Sequence, residues 1–322
     1  MPPILIATRG SALALAQANA VLAQCRRHFR HLEFELTIIK TTGDKLQTAD
    51  PAAAGALATR ALFTKELETA LLRRRADLAV HSLKDLPTDL PEGLKLAAVA
   101  GMRADVRDVL VYRINNGFAP WMKLSDFPPG LTVATGSARR LTQLLAIRPD
   151  FLTVPIRGNV PTRLEKLAAS TTIHATILAA AGLKRLGIHI SSAGLLRIRG
   201  GGVPHDLAAC VLEPEQMLPC VGQGAIGLEI RKNDRPLAEI CRRLNHDDTF
   251  QCVAAERSFL RAMGGGCQTP IGAYATVTGG RIHLRAVAHL TQNVQRAQAR
   301  SALSDAVALG KKVAALLRRA NS

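Results

Sequence analysis

Strand and helix signals alternate along most of this chain, and that alternation limits the folds open to it more than any other feature. Residues 3–8 read as a short apolar strand, Ser11 can cap a helix running to about residue 29, and residues 33–41 alternate with Phe34, Leu36 and Ile38 on one face. Leu67 and Leu71 fall on one stripe of a helix over residues 62–72, and residues 77–81 form a strand that runs into Ser82-Leu83-Lys84-Asp85, before Pro87 and Pro91 interrupt regular structure. The pattern returns further on: strand 131–135, helix 137–147, strand 151–156, helix 160–168, strand 175–179. It predicts two α/β units with largely parallel sheets, and such sheets place ligand sites at the ends of their strands. Residues 43–59 read as a loop, and residues 188–206, rich in Gly, Ser and Arg, as a surface insertion. From about residue 247 the pattern changes. A helix over 249–263 leads to Gly264-Gly265-Gly266-Cys267, and two strands (271–277 and 281–288) and an amphipathic helix follow, which predicts a small third α/β domain.

Composition narrows the function. The 42 Lys and Arg exceed the 25 Asp and Glu by 17, which points to an anionic partner. Aromatic residues are only 3 % of the chain, too few for the base stacking used by single-strand nucleic-acid binders. The basic residues are spread along the chain, with only short runs such as Arg73-Arg74-Arg75, so no nucleic-acid partner is expected. The six cysteines (Cys25, Cys210, Cys220, Cys241, Cys252, Cys267) form no C-x-x-C pair and no zinc spacing, so no metal is expected and they read as reduced thiols. No run reaches the roughly 18 apolar residues of a membrane span. Residues 4–20 imitate a secretory signal, but Arg9 breaks the apolar run and no basic segment precedes it, so a cytoplasmic protein is expected.

Three features carry candidate chemistry. Three glycines before Cys267 leave its sulfur uncrowded, so an exposed nucleophile becomes plausible where an arbitrary cysteine would be a small buried hydrophobe. No general base is visible beside it, which argues against a papain-like hydrolase. Lys84-Asp85 at a strand end reads locally as a solvated ion pair; the functional reading is a cleft carboxylate that protonates a leaving amine and stabilises a developing cation. Arg9, Arg139, Arg140 and Arg157 each follow a predicted strand, and with Arg163 and Arg185 they describe a cleft for a ligand with several carboxylates. Val221-Gly222-Gln223-Gly224-Ala225 is only a fragment of a dinucleotide fingerprint, and a nicotinamide cofactor is discounted.

Taken in order, Ile6-Ala7-Thr8-Arg9-Gly10-Ser11 with Gln17, Leu62-Phe63-Thr64-Lys65-Glu66-Leu67, Val80-His81-Ser82-Leu83-Lys84-Asp85-Leu86-Pro87, Ser137-Ala138-Arg139-Arg140, Ile156-Arg157-Gly158-Asn159 with Arg163, Ala181-Gly182-Leu183-Lys184-Arg185, the Val221–Ala225 stretch and Gly265-Gly266-Cys267-Gln268 resemble the hydroxymethylbilane synthase (porphobilinogen deaminase) family along nearly the whole chain. The resemblance implies an α/β protein of three domains. Two resemble type II periplasmic binding proteins (1–106 with 220–243, and 107–219) and a small C-terminal α/β domain (244–322) carries the cofactor. It implies a transferase that polymerises four porphobilinogens, with loss of ammonia, into hydroxymethylbilane for tetrapyrrole and haem biosynthesis, acting as a monomer. The cofactor would be dipyrromethane on a thioether to Cys267. Asp85 would be catalytic. Ser11, Lys84, Asp85, Thr135, Ser137, Arg139, Arg140 and Gly158 would hold the cofactor, and Arg9, Gln17, Phe63, Arg157, Arg163 and Arg185 the substrate. The chain departs from the family pattern at Ala58-Thr59-Arg60-Ala61, where glycines are usual and a stiffer loop is expected, at Ala134–Ala138 by one hydroxyl, in a longer stretch over 188–216, and in its charge. Two other readings, an anion-binding module of periplasmic-binding fold and a basic nucleic-acid binder, explain the arginines or the charge but not Cys267 on its glycine loop.

Overall fold

The computed structural model of the protein describes residues 2–40, 58–114, 117–198, 204, 206–265, 269–289 and 294–319, with residues 58–63 described by their backbone alone. The first lobe contains β1 (Ile4–Arg9), α1 (Ala12–His28), β2 (Phe34–Ile39), α2 (Ala58–Leu72), β3 (Leu78–Ser82) and β4 (Leu94–Val99). The chain then crosses to a second lobe of β5 (Asp108–Arg113), β6 (Thr132–Ala134), α3 (Ala138–Ile147), β7 (Leu152–Val154), α4 (Val160–Ala169), β8 (Ala175–Ala179), α5 (Ala180–Arg185), β9 (Ile188–Ile190), β10 (Leu196–Ile198) and β11 (Leu207–Leu212). It returns to the first lobe as β12 (Ile226–Arg231) and α6 (Arg235–Leu244). The chain ends as α7 (Asp247–Ala262), β13 (Ile271–Thr278), β14 (Arg281–His289), β15 (Val294–Ala302) and α8 (Ala306–Arg319).

The two lobe sheets have the orders β2-β1-β3-β12-β4 and β11-β5-β8-β6-β7, each with one strand reversed against its neighbours. They are mixed rather than largely parallel. The reversed strands, β12 and β5, each enter their sheet directly after a crossover between lobes, so the chain meets the sheet from the opposite end. Both are buried on both faces: Leu110 and Tyr112 pack in one cluster while Val109 and Val111 pack in another. After its opening acid β5 reads as a continuous apolar run with no period, which is why the alternation did not reveal it, whereas β12 alternates Ile226, Leu228 and Ile230 with Gly227 and Glu229. Burying each of these side chains contributes roughly 1.5–3 kcal/mol.

Three other expectations change. Residues 207–212, inside the stretch read as an insertion, form β11 and pair along its whole length with β5 as part of the second lobe's core. Ala58–Ala61 are the first turn of α2, not a loop. The C-terminal sheet has a third strand, β15, whose alternating exposure hid it among polar residues. This sheet is antiparallel and packs one face on α7 and α8. Those helices cross so closely that a Cβ on Gly310 would lie 2.4 Å from the Ala255 carbonyl oxygen. Alanine would gain about 1 kcal/mol in helix propensity, but overpacking of about 1–3 kcal/mol decides for glycine.

Candidate active site

The site is built where strand ends of both lobes converge. β3 ends at Ser82 and the chain tightens into a 3-10 turn, Leu83–Asp85, whose Leu83 is buried and whose Lys84 and Asp85 are half-buried. Gly227 on β12 makes room for this turn, since a Cβ there would meet the Leu83 Cδ1 at 2.4 Å. Ser82 is fixed from the α1 side: the Gln17 amide nitrogen donates to its Oγ at 2.8 Å, and the Oγ lies 2.9 Å from the Gln17 amide oxygen. Gln17, expected beside the substrate, is 2 % exposed and supports the turn from beneath.

On the second lobe, Ser137 and Asn159 cap α3 and α4 after β6 and β7, accepting from the Arg140 and Thr162 amides at 3.5 and 3.0 Å. Thr135 Oγ1 accepts from the Ser137 amide. Gly158 has φ 116° and a Cβ there would lie 2.8 Å from the Thr162 methyl, so glycine is required to enter α4 at this angle. Arg163, one turn into α4, donates from Nε to the Gly158 carbonyl at 2.8 Å.

Arg139 and Arg140 are buried and converge on Asp108, the first residue of β5, at 2.8 Å each. Arg139 also donates to the Leu218 carbonyl and Arg140 to that of Ile177, each at 2.7 Å. Gln223 adds bonds to Asp108 and to the Val106 carbonyl. The glycine fragment at 221–225 is therefore part of the second crossover. Gly224 (φ 84°) passes so near Ala104 in the first crossover that a side chain would strike its carbonyl at 2.5 Å. Asp108 was missed from the sequence; the available signal was an acid opening the apolar run 108–112, because a buried carboxylate requires a cationic partner.

The electrostatics tie the lobes together. Burial lowers the Lys84 ammonium from its ordinary value, Asp85 opposes that, and Arg140 lowers it further. Burial also brings Arg163 down to about 10, helped by Arg140 and opposed by Asp85. Burial alone would push the Asp108 carboxyl up, but Arg139 and Arg140 outweigh it and hold it well below the usual carboxylate range. Four cations, Lys84, Arg139, Arg140 and Arg163, thus share the space around two carboxylates, Asp85 and Asp108, leaving two positive charges in excess.

Four of the remaining candidates sit at strand or helix ends. Ser11 caps α1 by accepting from the Ala14 amide, and Arg9 ends β1, half-buried. Arg157 is exposed between β7 and α4. Arg185 donates to the Gly224 carbonyl at 2.7 Å, and burial lowers it to about 10. Phe63 lies on α2, its side chain outside the described residues, as is Cys267 with its neighbours Gly266 and Gln268. Among the described residues no group of three or more His, Cys, Asp or Glu could hold a metal ion.

The Asp108 junction gives a pH signature. A carboxyl depressed in the folded state stabilises the fold above the usual carboxylate range and loses that contribution as pH falls through its folded value. Asp108→Asn is expected to cost about 3–5 kcal/mol near pH 7, because two buried guanidiniums lose their counter-charge. Thermal midpoints measured from pH 7 down to 3 should fall less steeply for the variant than for the wild type. Parallel curves would rule the junction out as the source of acid sensitivity.

Fold and site together define a two-lobed α/β protein with a cluster of cations where strand ends of the two lobes meet, and a small third domain. The chain matches the family model "Porphobilinogen deaminase, dipyromethane cofactor binding domain" over residues 4–239 and that of the family's C-terminal domain over residues 250–319. It is 43 % identical over 283 residues to a porphobilinogen deaminase of Chlorobium chlorochromatii, covering 88 % of this chain and 82 % of that one. It is also 43 % identical over 284 residues to one of Desulforudis audaxviator, covering 88 % and 83 %. This chain belongs to the porphobilinogen deaminase family. An amino acid ABC transporter substrate-binding protein of Streptococcus pneumoniae is similar over 81 % of this chain and 90 % of its own, at 12 % identity and a TM-score of 0.36.

Proposed function

We propose that this chain joins four porphobilinogens, with loss of four ammonias, into the linear tetrapyrrole hydroxymethylbilane, and that the cleft around Asp85 performs the chemistry. The observation that carries this reading is the surplus of two positive charges around a half-buried carboxylate. Each pyrrole bears an acetate and a propionate, so a growing chain of them is a polyanion that such a cleft attracts and orients.

The family's cofactor is dipyrromethane. Its four carboxylates suit the donor set here: Lys84, Arg139 and Arg140 supply the charge, and Ser11, Thr135, Ser137 and Gly158 line the strand ends beside them, with Cys267 as the attachment point. When bound, the cofactor supplies the first ring carbon to which substrate is joined. Arg9, Arg157, Arg163 and Arg185 would take the carboxylates of the incoming ring, and Phe63 would border it.

Asp85 has two tasks. When the substrate's aminomethyl group, protonated to the ammonium, leaves as ammonia with the electron pair of the C–N bond, positive charge spreads over the pyrrole and its N–H. A carboxylate accepting that N–H offsets the charge at the point where it develops. Once the new carbon–carbon bond forms, a proton leaves the ring carbon that formed it, and Asp85 Oδ is the acceptor.

The domain division that sheet membership supports is 1–106 with 220–243, then 107–219, then 244–322. The reading includes a monomer acting in the cytoplasm without nucleic acid; among the described residues no helix is long and apolar enough to cross a membrane. Incubating the purified protein with porphobilinogen should release four ammonias per tetrapyrrole. Porphobilinogen bound and recovered unchanged would favour a binding module instead.

A further inference from the structure

Beneath the catalytic turn, on the face opposite Gln17, lies a buried polar layer that the mechanism above does not use. The His81 Nε2 stands 2.9 Å from Glu229 Oε2, although the residues are 148 apart in sequence. His81 is 6 % and Glu229 0 % exposed. β3 and β12 pair with Gly227 opposite His81 and Glu229 opposite Ala79, so both side chains leave the sheet on the α2 side. There they meet Glu68 of α2, 7 % exposed. Among the described residues, Glu68 Oε1 and Glu229 Oε1 have no hydrogen-bond partner. Apart from Thr64 of α2, the residues packed around them are apolar: Ala7 of β1, Leu67 and Leu71 of α2, Ala79 of β3 and Leu94 of β4.

A buried polar pair is a poor way to gain stability. Its desolvation cost generally matches or exceeds its attraction, and well-packed apolar residues would serve the fold as well. What the pair supplies is direction. His81 directly precedes Ser82 and the Asp85 turn, so fixing its imidazole fixes the end of β3 from one face, while Gln17 fixes Ser82 from the other. Glu68 adds α2, the helix that carries Phe63. We infer that Glu68, His81 and Glu229 are positioning residues: a buried clamp that holds α2 to the catalytic strand and keeps the Asp85 carboxylate in register with the incoming ring. The inference rests on Asp85 being the catalytic group.

Glu68 enters the clamp with its carboxyl shifted toward the neutral form. Burial raises its carboxyl above the ordinary range, the Thr64 hydroxyl opposes this, Glu229 raises it further, His81 lowers it and Glu66 raises it slightly. The turn Leu83–Asp85, which also packs on α2, brings Lys84 and Asp85 to the same helix, and Arg231, further along β12, is committed to Asp77 and Asp234. A carboxyl raised in the folded state favours the fold at low pH and loses that contribution as pH rises through its folded value.

The test is a double-mutant cycle with steady-state kinetics on the cofactor-loaded enzyme. Glu229→Gln and His81→Gln are each expected to lower kcat roughly 10–100-fold, the size of effect that small misplacements produce, with KM within about threefold. The double variant should lose no more than the worse single one, because the two act as a unit. Should Glu229→Gln fail to fold, His81→Gln alone carries the kcat-against-KM comparison. Glu68→Gln, which mimics the neutral acid, should gain thermal midpoint over the wild type as pH rises above the ordinary carboxyl range. Unchanged kcat in both single variants, multiplicative losses in the double, or a Glu68→Gln midpoint difference independent of pH would each overturn the clamp. Asp85→Asn in the same assay separates the two readings: if it stays active, the catalytic assignment has failed, and if it is dead while Glu229→Gln is not, only the clamp has.

Discussion

Asp85→Asn should fold and turn over porphobilinogen roughly 10²–10⁴-fold more slowly, with KM changed much less than kcat. The side chain is half-buried at the tip of a turn whose anchors are Leu83, Ser82 and His81, so removing its charge leaves the fold's supports in place. Asparagine keeps the size and a hydrogen-bond acceptor but carries neither the negative charge that offsets a cationic pyrrole nor a site for the departing proton. The neighbours make the loss larger. With Asp85 neutral, Lys84, Arg140 and Arg163 act on the developing cation with their repulsion unopposed on that side. Single-turnover mixing of loaded enzyme with substrate isolates the chemical step, and a rate within tenfold of wild type would remove Asp85 from the catalytic role.

Cys267→Ala should abolish activity altogether, and the intact mass should say why. Denatured wild-type protein is expected to exceed its polypeptide mass by two porphobilinogens less two ammonias, while the variant sits at the bare polypeptide mass. The other thiols are poorly suited to the attachment. Burial pushes Cys25 up to about 11 and Cys241 and Cys252 up to about 12, and raises Cys210 as well, so each is a weak source of thiolate and has no room for a pyrrole pair. Cys220 is half-buried and close enough to Lys84 to affect its charge, which makes Cys220→Ala the natural control. That variant should keep the added mass. A mass gain that survives Cys267→Ala and disappears with Cys220→Ala would move the attachment point into the second crossover.

Local pattern was enough for the elements that carry the chemistry. α1, α3 and α4 have a capping residue at a fixed offset, and β1 and β3 are short apolar runs that end in turn signals, so punctuation marks them in the sequence. The candidate residues Lys84, Asp85, Arg140 and Arg163 were legible for the same reason, since each sits at a strand end or in the first turn of a helix. The sequence also carried the family motifs in order, because a motif is a local arrangement of residues. Long-range pairing decided the rest. β5, β11 and β12 became strands through partners contributed by remote segments, and the apolar runs of β5 and β11 carry no local period. Tertiary structure alone assigned Arg139 and Arg140 to Asp108, turned Gln17 toward Ser82, and brought Glu68, His81 and Glu229 into one layer. The physical reason is that a buried charge is tolerated only where a counter-charge or donor meets it. Which residue meets it is fixed by the register of strands and helices far apart in the chain.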